Sequence, residues 1–152
     1  MIAFRVVSGV TQHFIMRLPE WANSFVLLLY GQTLLQPGDT FDRQAFSVMA
    51  HYASERSWGV ALVGLGAIRL AALILNGTFA RFAPWSVRIR ALSATLCCFA
   101  WFCLSLSLYL GDPALPGWKT YAAHLAVDII MAIYLGGQAG KVDRGLWHGR
   151  TR

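Results

Sequence analysis

The sequence predicts an all-α membrane protein: a four-transmembrane-helix bundle with a periplasmic amphipathic helix between the first and second spans. Three observations carry this. Of 152 residues, 57% are hydrophobic and only 13% charged, where a soluble domain carries about a quarter charged residues to cover its surface. The apolar residues gather into four runs, at about 18–36, 58–79, 91–110 and 120–138. Each run is close to the roughly 20 residues that cross a hydrocarbon core of about 30 Å. Most of the charge lies between or beyond the runs, so the net charge of +6 reads as topology signal and anionic-lipid contact, not as a nucleic-acid footprint.

The first run opens on Pro19 and Trp21 and stops at Pro37-Gly38-Asp39; Asn23, Gln32 and Thr33 dilute it. If it failed to span, three crossings would remain and the termini would lie on opposite sides. The third run holds no charge, and the fourth ends in Gly136-Gly137. Trp21, Trp58, Trp85 and Trp118 each lie near the start of a run, as indoles anchored at the interface do. Gly38-Asp39 and Gly111-Asp112 end the first and third runs, which suggests two tandem hairpins in one domain, 1–152.

Charge orients the bundle. Nine basic residues, Arg5, Arg17, Arg81, Arg88, Arg90, Lys141, Arg144, Arg150 and Arg152, fall on the tails and the second loop. The other side has three, Arg43, Arg56 and Lys119. The excess places both termini in the cytoplasm of a bacterial inner membrane. Gln12 and His13 break the apolar N-terminal stretch, so a short interfacial helix with Phe4, Val7, Phe14 and Ile15 on lipid is expected there, not a cleaved signal.

In the loop from Pro37 to Ser57, Phe41, Ala45, Met49 and Tyr52 recur every three to four residues. That spacing predicts an amphipathic helix over about 40–55, capped by Asp39 or Thr40 and lying on the outer surface. A lid folded against the bundle is the alternative.

Arg69 and Asp128 are the charges buried deepest in runs. Each lies ten residues from the cytoplasmic end of its run, or roughly 15 Å. A lone charge there costs about 2.5–3.5 kcal/mol on insertion scales, so an Arg69–Asp128 pair is expected, with His124 one turn before Asp128 on the same face. Gly59, Gly66, Arg69 and Asn76 form one stripe, and His124, Asp128, Ala132 and Gly136 another; Gly59, Gly66 and Gly136 are expected to serve helix packing. The intramembrane polar cluster is thus Arg69, Asp128, His124 and Asn76. It reads as an ion pair fixing helix neighbours, as a proton or ion path, or as a pair between copies.

Asn23, Tyr30 and Thr33 are expected to share a face of the first helix and to bond between helices, while Ser93, Cys97, Ala100 and Ser107 give the third a small-residue face. Cys97, Cys98 and Cys103 lie in one apolar run, without a disulfide framework or metal spacing. His13, His51 and His148 are dispersed. No phosphate loop, nucleophile elbow or carboxylate dyad is present, so no enzymatic activity, cofactor or metal is expected.

Leu34 to Phe41 (LLQPGDTF), Gly66 to Gly77 (GAIRLAALILNG) and Arg88 to Leu92 (RIRAL) together resemble a small multi-pass membrane-protein family of tailed phages and prophages. The resemblance covers about residues 18–110, with Arg69 and Asn76 in the second motif and Asp128 outside it. It implies a viral inner-membrane protein that acts through helix association, as a homo-oligomer or with a membrane-protein partner. Holins are similar in size class and in their basic tail, which implies membrane permeabilisation. A superinfection-exclusion or accessory protein binding through the outer loop is the alternative, and a small transporter subunit using Arg69, Asp128 and His124 a third.

Overall fold

The computed structural model describes residues 17–38, 40–78, 83–114 and 116–145; at 76–78, 83 and 84 it describes the backbone alone. The N-terminal interfacial helix, the Asp39 cap and the basic residues at 5, 81, 150 and 152 lie outside the described residues.

Helix α1, Leu18–Leu35, starts with proline in its first turn, where the missing N–H costs nothing. It stops at Gln36, held extended ahead of Pro37. Two 3-10 turns (Thr40–Asp42 and Gln44–Phe46) and the short α2 (Ser47–Tyr52) follow. Then come α3 (Glu55–Thr78), α4 (Ala83–Gly111) and α5 (Gly117–Asp143).

Among the described residues three helical stretches are long and apolar enough to cross a membrane: Glu55–Leu75, Trp85–Gly111 and Gly117–Asp143. Helix α1 forms where the first span is expected but is not among them. Its 18 residues include Glu20, Asn23, Gln32 and Thr33, and so short a helix has no apolar stretch of spanning length that avoids them.

The long helices pair as two antiparallel hairpins, α1 on α3 and α4 on α5, joined through α3 and α4. The α1–α5 seam is the sparsest of these contacts. Leu27, Met49, Leu62, Trp101 and Leu104 are fully buried at the centre. Close approach of α1 and α3 rests on glycine: a Cβ on Gly31 would lie 2.7 Å from the Val63 backbone nitrogen and 2.9 Å from the Gly59 oxygen. Gly59 meets Leu35 and Gly66 meets Ser24 and Leu28 in the same interface.

Two expectations change. Residues 40–55 do not form one amphipathic surface helix. The backbone turns extended at Arg43, and the broken segment folds as a lid over the C-terminal end of α4. Met49 is fully buried, its carbonyl accepts the Trp58 indole N–H at 2.9 Å, and the Val48 N–H donates to Ser107 Oγ at 3.1 Å. Ala45 closes over Gly111, 3.1 Å from where a Cβ would stand. Of the residues spaced for a lipid-facing stripe, Met49 is buried and Phe41 and Ala45 are half-buried while Tyr52 stays exposed, and Phe41 stacks on Phe46.

The helix ends also move outward. Helix α4 begins at Ala83 and α5 runs to Asp143, so Arg88 and Arg90 sit on helix, not in a loop. Apolarity marks what faces lipid; arginine, lysine and glutamate propagate a helix nearly as well as leucine.

Candidate functional site

The site grows from the depth match of Arg69 on α3 and Asp128 on α5. Arg69 Nη2 lies 2.8 Å from Asp128 Oδ1, with side chains 2% and 0% exposed. The contact is an ion pair out of hydrogen-bond alignment: Arg69 Nη1 and Nη2 and Asp128 Oδ1 make no hydrogen bond among the described residues. Attraction between full charges has no strict angular requirement, and a desolvated pair at this distance interacts far more strongly than in water.

Trp101 on α4 completes the group, donating its indole N–H to Asp128 Oδ2 at 2.8 Å. Its ring stacks on His124 with centroids 5.0 Å apart and on Tyr121 at 5.9 Å. His124 in turn reaches α1: its Nδ1 lies 2.7 Å from Asn23 Oδ1, and Asn23 Nδ2 donates to the His124 carbonyl at 3.3 Å. All four long helices therefore contribute to one network, α1 through Asn23, α3 through Arg69, α4 through Trp101, and α5 through Asp128 and His124. Cys97 on α4, fully buried, lies beside Arg69.

The chemistry of the centre follows from its donors. A guanidinium and an indole N–H donate and do not accept. Both oxygens of Asp128 thus face groups that cannot take up a proton from it, which makes the triad a clamp on helix positions.

The other expected residues fall as follows. The Asn76 side chain is outside the described residues. Gly59 and Gly66 lie in the α1–α3 interface, but Gly136 is exposed and, among the described residues, has nothing within 4 Å of a Cβ position, so it packs no described helix. The reason is drift: at 3.6 residues per turn, steps of four rotate the stripe by about 40° each. Gly136 is turned about 80° from Asp128, whereas Leu135, seven residues on, stays buried on its face. Thr33 bonds back to the Leu29 carbonyl and is exposed, so it joins no other helix. Ser93, Cys97, Ala100 and Ser107 are all buried, as one face of α4.

A second buried ion pair escapes the sequence reading. Glu20 at the start of α1 accepts Arg90 Nε at 2.9 Å and also Arg90 Nη2 in a bidentate contact; both side chains are 4% exposed. Arg17 lies beside them, its pKa lowered from the ordinary value by burial and by the Arg90 charge, while Glu20 opposes the shift. The signal was the i, i+3 spacing of Glu20 and Asn23, which puts a carboxylate on the polar face of α1. Arg88 pairs with Asp143 near the same end, both exposed.

Among the described residues no three His, Cys, Asp or Glu side chains are grouped to hold a metal. No model of a known family, no curated protein and no solved structure matches the chain.

Proposed function

We propose that the chain is a four-crossing protein of the bacterial inner membrane, of the phage and prophage kind, with both termini cytoplasmic. It acts without enzymatic chemistry, by association of its helices with further copies, and its outcome is holin-like permeabilisation. One observation carries this reading: α5, long and apolar, has only 11% of its candidate span buried within the chain, against 39% and 44% for the other two. Ile129, Ile130, Ile133 and Tyr134 lie exposed along it, and Gly136 and Gly137 leave the backbone open to close approach. The first crossing is supported by the depth at which α1 packs against α3 and by the polar side chains it turns inward, Glu20, Asn23 and Ser24. At the inner end Arg88 lies over the exposed Trp85 ring at 5.3 Å, a pairing suited to anionic headgroups. Timed expression with a membrane-impermeant dye tests the outcome: abrupt uptake at a set time supports it, and intact cells refute it.

The folded lid favours a second reading, an exclusion or accessory protein. Held by Met49, Val48 and the Phe41 N–H bond to Glu55 Oε2 at 3.2 Å, it offers a preorganised outer surface with Asp42, Arg43 and His51 exposed. Charge reversal at Asp42 and Arg43 should then abolish exclusion while sparing membrane insertion.

A further inference from the structure

We propose that the groove between the end of α1 and the start of α3 binds the headgroup of an aminophospholipid, a zwitterion whose primary ammonium seats on Glu55 and whose phosphate seats on Arg56. The inference asks only that α3 cross the membrane, so it goes beyond permeabilisation and holds for three crossings or four.

Because α1 and α3 form an antiparallel hairpin, the C-terminus of one lies beside the N-terminus of the other. A groove of about 500 Å³ lies there, lined by Leu34, Leu35, Pro37, Gly38, Glu55 and Arg56. Its two walls differ in polarity. The last carbonyls of α1 bring the negative end of a helix dipole, and no basic side chain in the last turn offsets it. The first N–H groups of α3 bring the positive end of another, which suits a phosphate.

The side chains repeat this division. Glu55 Oε2 accepts the Phe41 N–H at 3.2 Å, but Oε1 is buried and has no hydrogen bond among the described residues. The Tyr30 hydroxyl, buried and likewise without a bond among them, lies within electrostatic reach of Glu55. A carboxylate oxygen shut from water is costly until a donor meets it. Arg56, the next residue, is exposed and enters no ion pair among the described residues.

The ligand class follows from these groups. A bare cation would be repelled by Arg56, and among the described residues no three His, Cys, Asp or Glu side chains gather to hold one. A simple anion would be repelled by Glu55 and would leave Oε1 unmatched. A zwitterion satisfies both charges. A primary ammonium also supplies three N–H donors, where a quaternary one supplies none. Leu35, 43% exposed, adds an apolar wall. Glu55 begins the membrane-length stretch Glu55–Leu75, which sets the groove at headgroup level, with the acyl chains running beside α3. Soluble phosphoethanolamine compounds share the headgroup chemistry; the apolar wall and the position at the end of a span favour the lipid.

Titration of the purified, delipidated full chain in detergent tests this, with bound lipid counted by native mass spectrometry. Phosphatidylethanolamine and phosphatidylcholine of one acyl composition are compared, since they have the same net charge and differ in N–H donors. The expected result is phosphatidylethanolamine held about tenfold more tightly, as the gain of one charge-assisted hydrogen bond implies. Glu55→Gln should erase that margin. Arg56→Gln leaves the Phe41 bond untouched and should weaken phosphatidylethanolamine binding about tenfold, while Arg88→Ala at the other end of the bundle should not change it. If Glu55→Gln fails to fold, the wild-type comparison and Arg56→Gln still decide. Equal affinity for the two lipids, or phosphatidylethanolamine binding unchanged in Arg56→Gln or in a folded Glu55→Gln, would overturn the proposal. Glycerophosphoethanolamine binding as tightly as the lipid would overturn the lipid as occupant. Abrupt dye uptake in cells with no headgroup preference sinks this proposal alone, and intact cells with the preference present sink permeabilisation alone.

Discussion

Trp101 donates its indole N–H to Asp128 Oδ2 at 2.8 Å on the side of the carboxylate opposite Arg69. The bond joins the two helices of one hairpin, while the ion pair joins that hairpin to the other. Trp101→Phe removes the donor and keeps an aromatic ring against His124. We expect a loss of about 1–3 kcal/mol for the buried acceptor left unpaired, read as a lower midpoint in denaturant unfolding of the detergent-solubilised protein.

Asp128→Asn is the more severe change because it leaves the Arg69 charge buried and uncompensated. Breaking a buried pair from one side costs about 3–5 kcal/mol, so the variant should accumulate poorly in membranes. Joint replacement, Arg69→Met with Asp128→Leu, should recover much of that loss. Wild-type accumulation of Asp128→Asn by quantitative immunoblot would show that the pair does not hold the fold.

The two ion pairs at the start of α4 should behave oppositely. Arg90 and Glu20 are 4% exposed, Arg88 and Asp143 41% and 58%. Glu20→Gln should destabilise clearly, since it removes the buried counter-charge of Arg90. Arg88→Ala should shift stability by no more than about 0.5 kcal/mol, because a solvated pair is screened and its side chains are costly to order. Paired thermal scans of the two variants check this.

Gly31 and Gly136 make a matched comparison. Alanine at Gly31 would drive its Cβ to within 2.7 Å of the Val63 backbone nitrogen, where no flexible side chain can yield, and overpacking of this kind costs about 1–3 kcal/mol. Alanine at Gly136 meets open space and should leave monomer stability within about 0.5 kcal/mol of the wild type. A dimerisation assay in a membrane reporter should move only with Gly136→Leu if α5 is the associating face.

Much of the arrangement was legible because hydropathy and charge act locally. Four apolar runs gave four long helices in their expected places, and the equal depth of Arg69 and Asp128 brought them together, since helical rise converts residue count directly into height. The lid could not be read this way. A three-to-four-residue stripe looks the same whether lipid or α4 covers it, and only the fit of Met49, Trp58 and Ser107 decides. Glu20 and Arg90 were hidden for a similar reason: at a run's edge a charge reads as solvated unless a partner on another helix is in view.

What the sequence determined by itself is the class: too little charge for a soluble surface, helices of membrane length, and two intramembrane charges at one level. What the tertiary structure alone decided is which faces meet. It turned Asn23 toward His124, set Trp101 on Asp128, buried Glu20 against Arg90 and left Gly136 open. Those choices depend on helix rotation and side-chain shape. A residue's height follows from counting along its own helix, but its azimuth relative to a neighbour exists only once the helices have packed.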